Sequence, residues 1–172
     1  FFDLGLSLFH NAKKLIKNGS GPYFYLPKLE HYLECRLLND VISFCEKKLN
    51  LENGTVKVTV LIETINAVFQ MNEFLWELKN HIVGLNAGRW DYLFSYQKVY
   101  RNTKKVILPD RSKVNMFVPF MSNYNKLLVD TCHRRGAFGM GGMSAQVIAK
   151  GNPKEINERA LSGVKKDKER EL

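Results

Sequence analysis

Cysteine is scarce in this chain, three in 172 residues. Cys35, Cys45 and Cys132 are odd in number and follow no metal-ligand spacing, which excludes a disulfide framework or a zinc module and indicates free thiols in a reducing compartment. No apolar run is long enough to span a membrane, no signal peptide is visible, and neither internal repeats nor low-complexity segments occur. The expectation is a soluble, intracellular protein. A glycine-rich phosphate fingerprint is also missing after the first apolar segment, which disfavours a dinucleotide-binding fold. Acidic residues are outnumbered 17 to 26, a net charge of +9, and such a balance raises nucleic acid or an anionic membrane as partners. The basic residues are spread along the chain, however. Their densest group, Lys98, Arg101, Lys104, Lys105, Arg111 and Lys113, has little aromatic interleaving after Tyr100, the pattern of a solvated loop.

What is present is an alternation of strand-like and helix-like segments. Leu4 to Phe9 reads as a strand, 10–18 as a short helix closed by Gly19-Ser20-Gly21, and Tyr23 to Leu26 as a second strand. After Pro27, Leu29, Leu33, Leu37, Val41, Phe44, Cys45 and Leu49 keep a helical period. Thr55 to Ile62, rich in β-branched residues, reads as a strand ending on Glu63. A helical pattern through Phe69, Phe74 and Leu78 follows, then a strand at 82–86, a helix from Trp90 to Arg101, and a long irregular connection, 102–119, with an extended stretch at 114–118. A helix from Ser122 to Arg134 leads to a segment rich in small residues, 136–146, where a ligand or a neighbouring backbone could approach closely. Pro153 opens a final helix of mixed charge. Regular strand–helix alternation predicts an α/β fold with a parallel sheet, and a TIM (β/α)8 barrel piece in particular, spanning roughly the second to sixth strand units.

In such folds ligands bind outside the carboxyl ends of the strands. Glu63 and Asp91 are about one βα unit apart, Glu63 ending one predicted strand and Asp91 following the turn after the next, so a parallel sheet brings them to the same rim from neighbouring strands. Two carboxylates there suit a hard cation with oxygen ligands, Mg2+ in the first place. The plainer alternative is that each merely caps the helix after it.

The stretch 79–94, with His81, Gly84-Leu85-Asn86, Gly88 and Trp90-Asp91-Tyr92, closely resembles the signature of malate synthase in its shorter isoform. Further blocks match the same family in the same order: 21–30, 60–64, 108–111, 131–137 and 140–143. The resemblance implies a partial catalytic TIM-barrel domain over 1–172, lacking an N-terminal part and a C-terminal helical domain. That agrees with a chain that begins at Phe1 inside an apolar run and stops at Leu172 inside a charged helical pattern.

The same resemblance implies an acyltransferase of the glyoxylate bypass that condenses acetyl-CoA with glyoxylate and water to malate and CoA. It implies Mg2+ held by Glu63 and Asp91, glyoxylate bound at Gly88, Arg89, Trp90 and Asp91 through backbone amides, and a peroxisomal or glyoxysomal location in a eukaryote, cytoplasmic otherwise. The family's catalytic arginine falls before Phe1 and its catalytic aspartate beyond Leu172, so neither is assigned here and the chain alone is expected to be inactive. Arg89, Arg134, Arg135 and Asp130 take no catalytic role; Arg89 is expected to be an orienting or structural partner beside Asp91, while His81 and His133 are read as structural. Ala87 and Asn72 depart from the cysteine and aspartate usual in the family. Two other readings stay open: an Mg2+-dependent carbon–carbon lyase acting on an acyl-CoA or 2-hydroxy acid, and a basic RNA-binding or scaffold module.

Overall fold

A computed structural model describes residues 1–104, 106–141, 150–151 and 153–172. Lys105 and residues 142–149, including Met143 and the end of the small-residue segment, lie outside the described residues. The centre is a four-stranded, wholly parallel sheet: β1 (Tyr23–Leu26), β2 (Lys57–Ile62), β3 (Ile82–Ala87) and β4 (Phe138–Met140), in the spatial order β1-β2-β3-β4. Its helices are α1 (Phe2–Lys17), α2 (Tyr32–Leu49), α3 (Ile65–Val68), α4 (Met71–Glu77), α5 (Trp90–Tyr100), α6 (Pro119–Arg134) and α7 (Lys154–Glu169). Strands in sequential order joined by helical crossovers are the build of a (β/α) barrel wall.

The expected strand at Leu4 to Phe9 is instead the first half of α1. Leu4, Leu6 and Leu8 alternate like a strand, but Leu8 and Ala12 also lie four apart, and these two are the buried pair while Leu6 and Phe9 face outward. Burial followed the longer period because it continues over four turns, whereas the alternation ends at Phe9. The expected extended stretch at 114–118 is not a strand either; a single 3-10 turn, Arg111–Lys113, precedes it. Conversely β4 falls inside the small-residue segment. Gly139 lies so close to α6 that an added Cβ would sit 3.0 Å from Val129 Cα, so here the small residue admits neighbouring backbone.

Local chemistry explains the best-formed elements. α2 opens on a capping box, with Nδ1 of His31 accepting from the Leu33 amide (3.2 Å) and Glu34 Oε2 accepting from the His31 amide (2.8 Å). It closes at Asn50 in the left-handed region, φ 54°. Val58, Val60 and Ile62 of β2 are fully buried beneath the helices, packed with Ile42, Phe74, Leu78, Leu85 and Leu128. Burial of Cys35 pushes its thiol up to about 12, and the three cysteines are free.

The β3–β4 pairing admits a direct test. A Cβ at Gly84 would lie 2.1 Å from the Phe138 carbonyl oxygen, a backbone atom held by the Gly84–Phe138 register. Gly84→Ala is therefore expected to destabilise the fold by about 2–3 kcal/mol. Equilibrium denaturation within 0.5 kcal/mol of the parent would show that β4 is not seated as described.

Candidate functional site

The register of the sheet assembles the site. Leu26 pairs with Val60, and Ile62 pairs with Ala87, so the residues just beyond β1, β2 and β3 meet at one rim. They are Lys28, Glu63 and the turn 88–91.

Glu63 is buried, 1% exposed, whereas Asp91 is 48% exposed. Neither acts as a helix cap. The N-cap of α3 is Thr64, whose Oγ1 accepts from the Ala67 amide at 3.2 Å and donates to the Leu29 carbonyl at 2.9 Å. Glu63 instead accepts from the Lys28 amide, N to Oε1 2.7 Å. Asp91 lies in the first turn of α5, which starts after Arg89. The two carboxylates influence each other's protonation.

Lys28, passed over in the sequence, completes the cluster. Its Nζ is 2.7 Å from Asp91 Oδ2 and 3.7 Å from Glu63 Oε2. The lysine holds Asp91 below the ordinary carboxylate range, with Glu63 contributing. Burial, then the Asp91 carboxylate, pushes Glu63 above it. The signal that could have found Lys28 is positional: it stands just past a strand end, as Glu63 does, on the strand next to it.

The other expected site residues are arranged as follows. Gly88 must be glycine, because a Cβ there would lie 2.7 Å from Glu63 Cβ. Its amide donates to the Ile62 carbonyl at 3.2 Å. α5 begins with no side-chain cap, so the amides of Trp90 and Asp91 in its first turn have no partner within the helix. Of the orienting and structural roles expected of Arg89, its contacts are those of the structural one. Its Nη2 donates to the Val114 carbonyl at 2.8 Å, and its guanidinium stacks 4.7 Å from the centre of the Trp90 ring, which Arg111 also faces at 4.5 Å. Arg89 thus ties the 102–118 connection to the rim.

Beneath the rim, Tyr124 of α6 donates its hydroxyl to the Ile62 carbonyl, with the Gly88 carbonyl 3.5 Å away, and stacks on Tyr92 at 4.1 Å. A buried tyrosine thereby supports both strand ends that carry the acids, and burial raises its own hydroxyl well above its usual value. Sequence pattern had no means of singling it out from the core of α6.

Two carboxylates with an ammonium drawn between them form a donor set with an electrostatic demand for positive charge, and oxygen ligands suit a hard divalent cation. Among the described residues no group of three or more His, Cys, Asp or Glu side chains could hold a metal, so such an ion would fill its shell with water and substrate oxygens. Among the described residues no helix is long and apolar enough to cross a membrane.

Comparison with known proteins gives the following. The family described as "Malate synthase, TIM barrel domain" matches residues 1–172. A "Malate synthase" of Streptomyces clavuligerus is 52% identical over 170 residues, covering 98% of this chain and 31% of that protein. A "Malate synthase, glyoxysomal" of Candida tropicalis is 51% identical over 171 residues, covering 99% of this chain and 31% of that protein. The chain spans about a third of the length of these relatives. A solved structure of Haloferax volcanii malate synthase superposes with a TM-score of 0.61 at 13% identity, covering 90% of this chain and 43% of that one. At that identity the likeness concerns the fold.

Proposed function

The chain belongs to the malate synthase TIM-barrel domain family, and from that premise we propose that it supplies the cation- and glyoxylate-binding part of a malate synthase active site. The reaction is the condensation of acetyl-CoA with glyoxylate and water to malate and CoA. The observation that carries this reading is the convergence of Glu63, Asp91 and Lys28 at the carboxyl ends of adjacent parallel strands, against the start of α5.

Glu63 and Asp91 would hold the divalent cation, Mg2+ by the chemistry of two carboxylate oxygens. When bound, that ion acts as a Lewis acid that polarises an aldehyde carbonyl. The amides of Trp90 and Asp91, at the positive end of α5, would bind the carboxylate of glyoxylate and fix which face of its carbonyl is presented. Gly88 lets Glu63 approach that turn, and Tyr124 keeps the two strand ends at constant separation. Trp90, flanked by Arg89 and Arg111, covers one side of the rim. No residue of this chain is assigned to removing the acetyl proton or stabilising the enolate; the resemblance places those groups outside residues 1–172.

The glyoxysomal description of the Candida relative supports a peroxisomal location if the source is a eukaryote. The test of function is glyoxylate-dependent release of CoA from acetyl-CoA by the full-length protein, followed with a thiol reagent. Release that requires added Mg2+ and disappears with chelator is expected. No release from folded protein would move the assignment to carbon–carbon cleavage of an acyl-CoA, which product analysis reads directly.

A further inference from the structure

Lys28 is built into the rim in an unusual way. It is a non-glycine residue in the left-handed region, φ 59°, a conformation that costs of order 1 kcal/mol and persists only where surrounding structure holds it. What that conformation achieves is double contact. The backbone amide fixes Oε1 of the buried Glu63, while the side chain of the same residue reaches across to Asp91 Oδ2 and lies near Glu63 Oε2. Pro27 restricts the chain immediately before it, so one residue presets both acids.

The ammonium itself is not locked. The side chain is 64% exposed, and among the described residues its ion-pair partners are these two carboxylates. A four-carbon stem on the surface can withdraw at little cost, whereas Glu63, 1% exposed and fixed from the backbone, cannot follow it.

We propose that Lys28 is an internal counter-ion: it neutralises and positions the carboxylate pair before a divalent cation arrives, and the cation displaces its ammonium from Asp91. Cation binding is then an exchange of one positive charge for two. The inference rests on the reading of Glu63 and Asp91 as cation ligands. It makes Lys28 a positioning residue that sets cation affinity, because the state able to take the cation is the one from which the ammonium has already swung out.

The experiment is calorimetric titration of chelator-treated, full-length protein with MgCl2, together with thermal melting in EDTA and in saturating Mg2+. Lys28→Met is expected to bind Mg2+ about two- to fivefold more tightly than the parent, the range set by losing one exposed ion pair as competitor. It should melt lower than the parent in EDTA, with the gap closing in Mg2+. Lys28→Gly, which suits the left-handed backbone and keeps the amide, should show the same tightening even if Lys28→Met folds poorly. Lys28→Arg should return affinity to the parent range. Lys79→Met, of equal charge change on the opposite rim, should leave it unchanged. Equal or weaker binding by both Lys28→Met and Lys28→Gly overturns the proposal while leaving the cation site intact. No Mg2+ heat from parent or variants, with no shift in melting, overturns the cation reading itself and this inference with it.

Discussion

Glu63→Gln in the full-length protein is expected to lower glyoxylate-dependent CoA release by about a thousandfold or more, with Asp91→Asn close behind. Polarisation of a carbonyl by a bound divalent ion is worth several kcal/mol at the transition state, and each 1.4 kcal/mol is a tenfold change in rate. Glutamine conserves the shape of Glu63 and still offers an acceptor to the Lys28 amide, so the fold should survive. Unchanged melting in EDTA alongside lost turnover separates chemistry from collapse. Activity within tenfold of the parent in either variant would remove the carboxylate pair from the mechanism.

The pair also has a distinct pH signature. Burial holds Glu63 above its ordinary value while Lys28 holds Asp91 below it. On acidification Glu63 takes up its proton first, so Mg2+ affinity should fall on the acid side through Glu63. Stability without the cation responds in both senses. The native state binds a proton at Glu63 before the unfolded chain does, which favours the fold as pH drops through that elevated value. The contribution of Asp91 is present above its unfolded value and is lost as pH falls through its depressed one.

The second large effect lies at the opposite rim. Glu46, 1% exposed, accepts from the amides of Gly54 (3.1 Å) and Val56 (2.8 Å) and from Nε2 of His81 (3.1 Å), a ring that is itself fully buried. Nδ1 of His81 lies 3.0 Å from Oδ1 of Asn39. One carboxylate thus joins α2, the lead-in to β2 and the lead-in to β3. Glu46→Ala would leave two buried donors, the Val56 amide and His81 Nε2, and the half-buried Gly54 amide without an acceptor and is expected to cost about 3–5 kcal/mol, as breaking a buried pair does. That corresponds to a melting temperature lower by roughly 10 °C. Glu46→Gln retains an acceptor and should lose clearly less. A Glu46→Ala melt within 2 °C of the parent would show that the cluster does not hold the rim.

His81 bears on how far pattern alone reaches. Its place just before a buried strand marked it as structural, and it is, yet Glu46 was indistinguishable from any other charged residue of an amphipathic helix. Its burial depends on α2 lying across the start of β2, which no local period encodes. The same holds at the candidate site. Strands at Tyr23 to Leu26, before Glu63 and before Gly88 were legible because β-branched and apolar runs bounded by turn residues have few other uses. β4 was not, because the glycines that let it approach α6 and β3 also lower its strand propensity.

The sequence by itself therefore determined the alternation that makes a parallel sheet, the two acids at neighbouring strand ends, and, through its motifs, the family. Tertiary structure alone decided that Lys28 stands between those acids, that Tyr124 braces the strand ends beneath them, that Arg89 turns away to the Val114 carbonyl, and that the Gly88 amide belongs to the sheet. The physical reason is sequence distance. Lys28 reaches Glu63 across 35 residues and Tyr124 reaches Ile62 across 62. Contacts of that span are fixed by strand register and by how helices lie on the sheet, and side-chain pattern within any one segment carries no record of either.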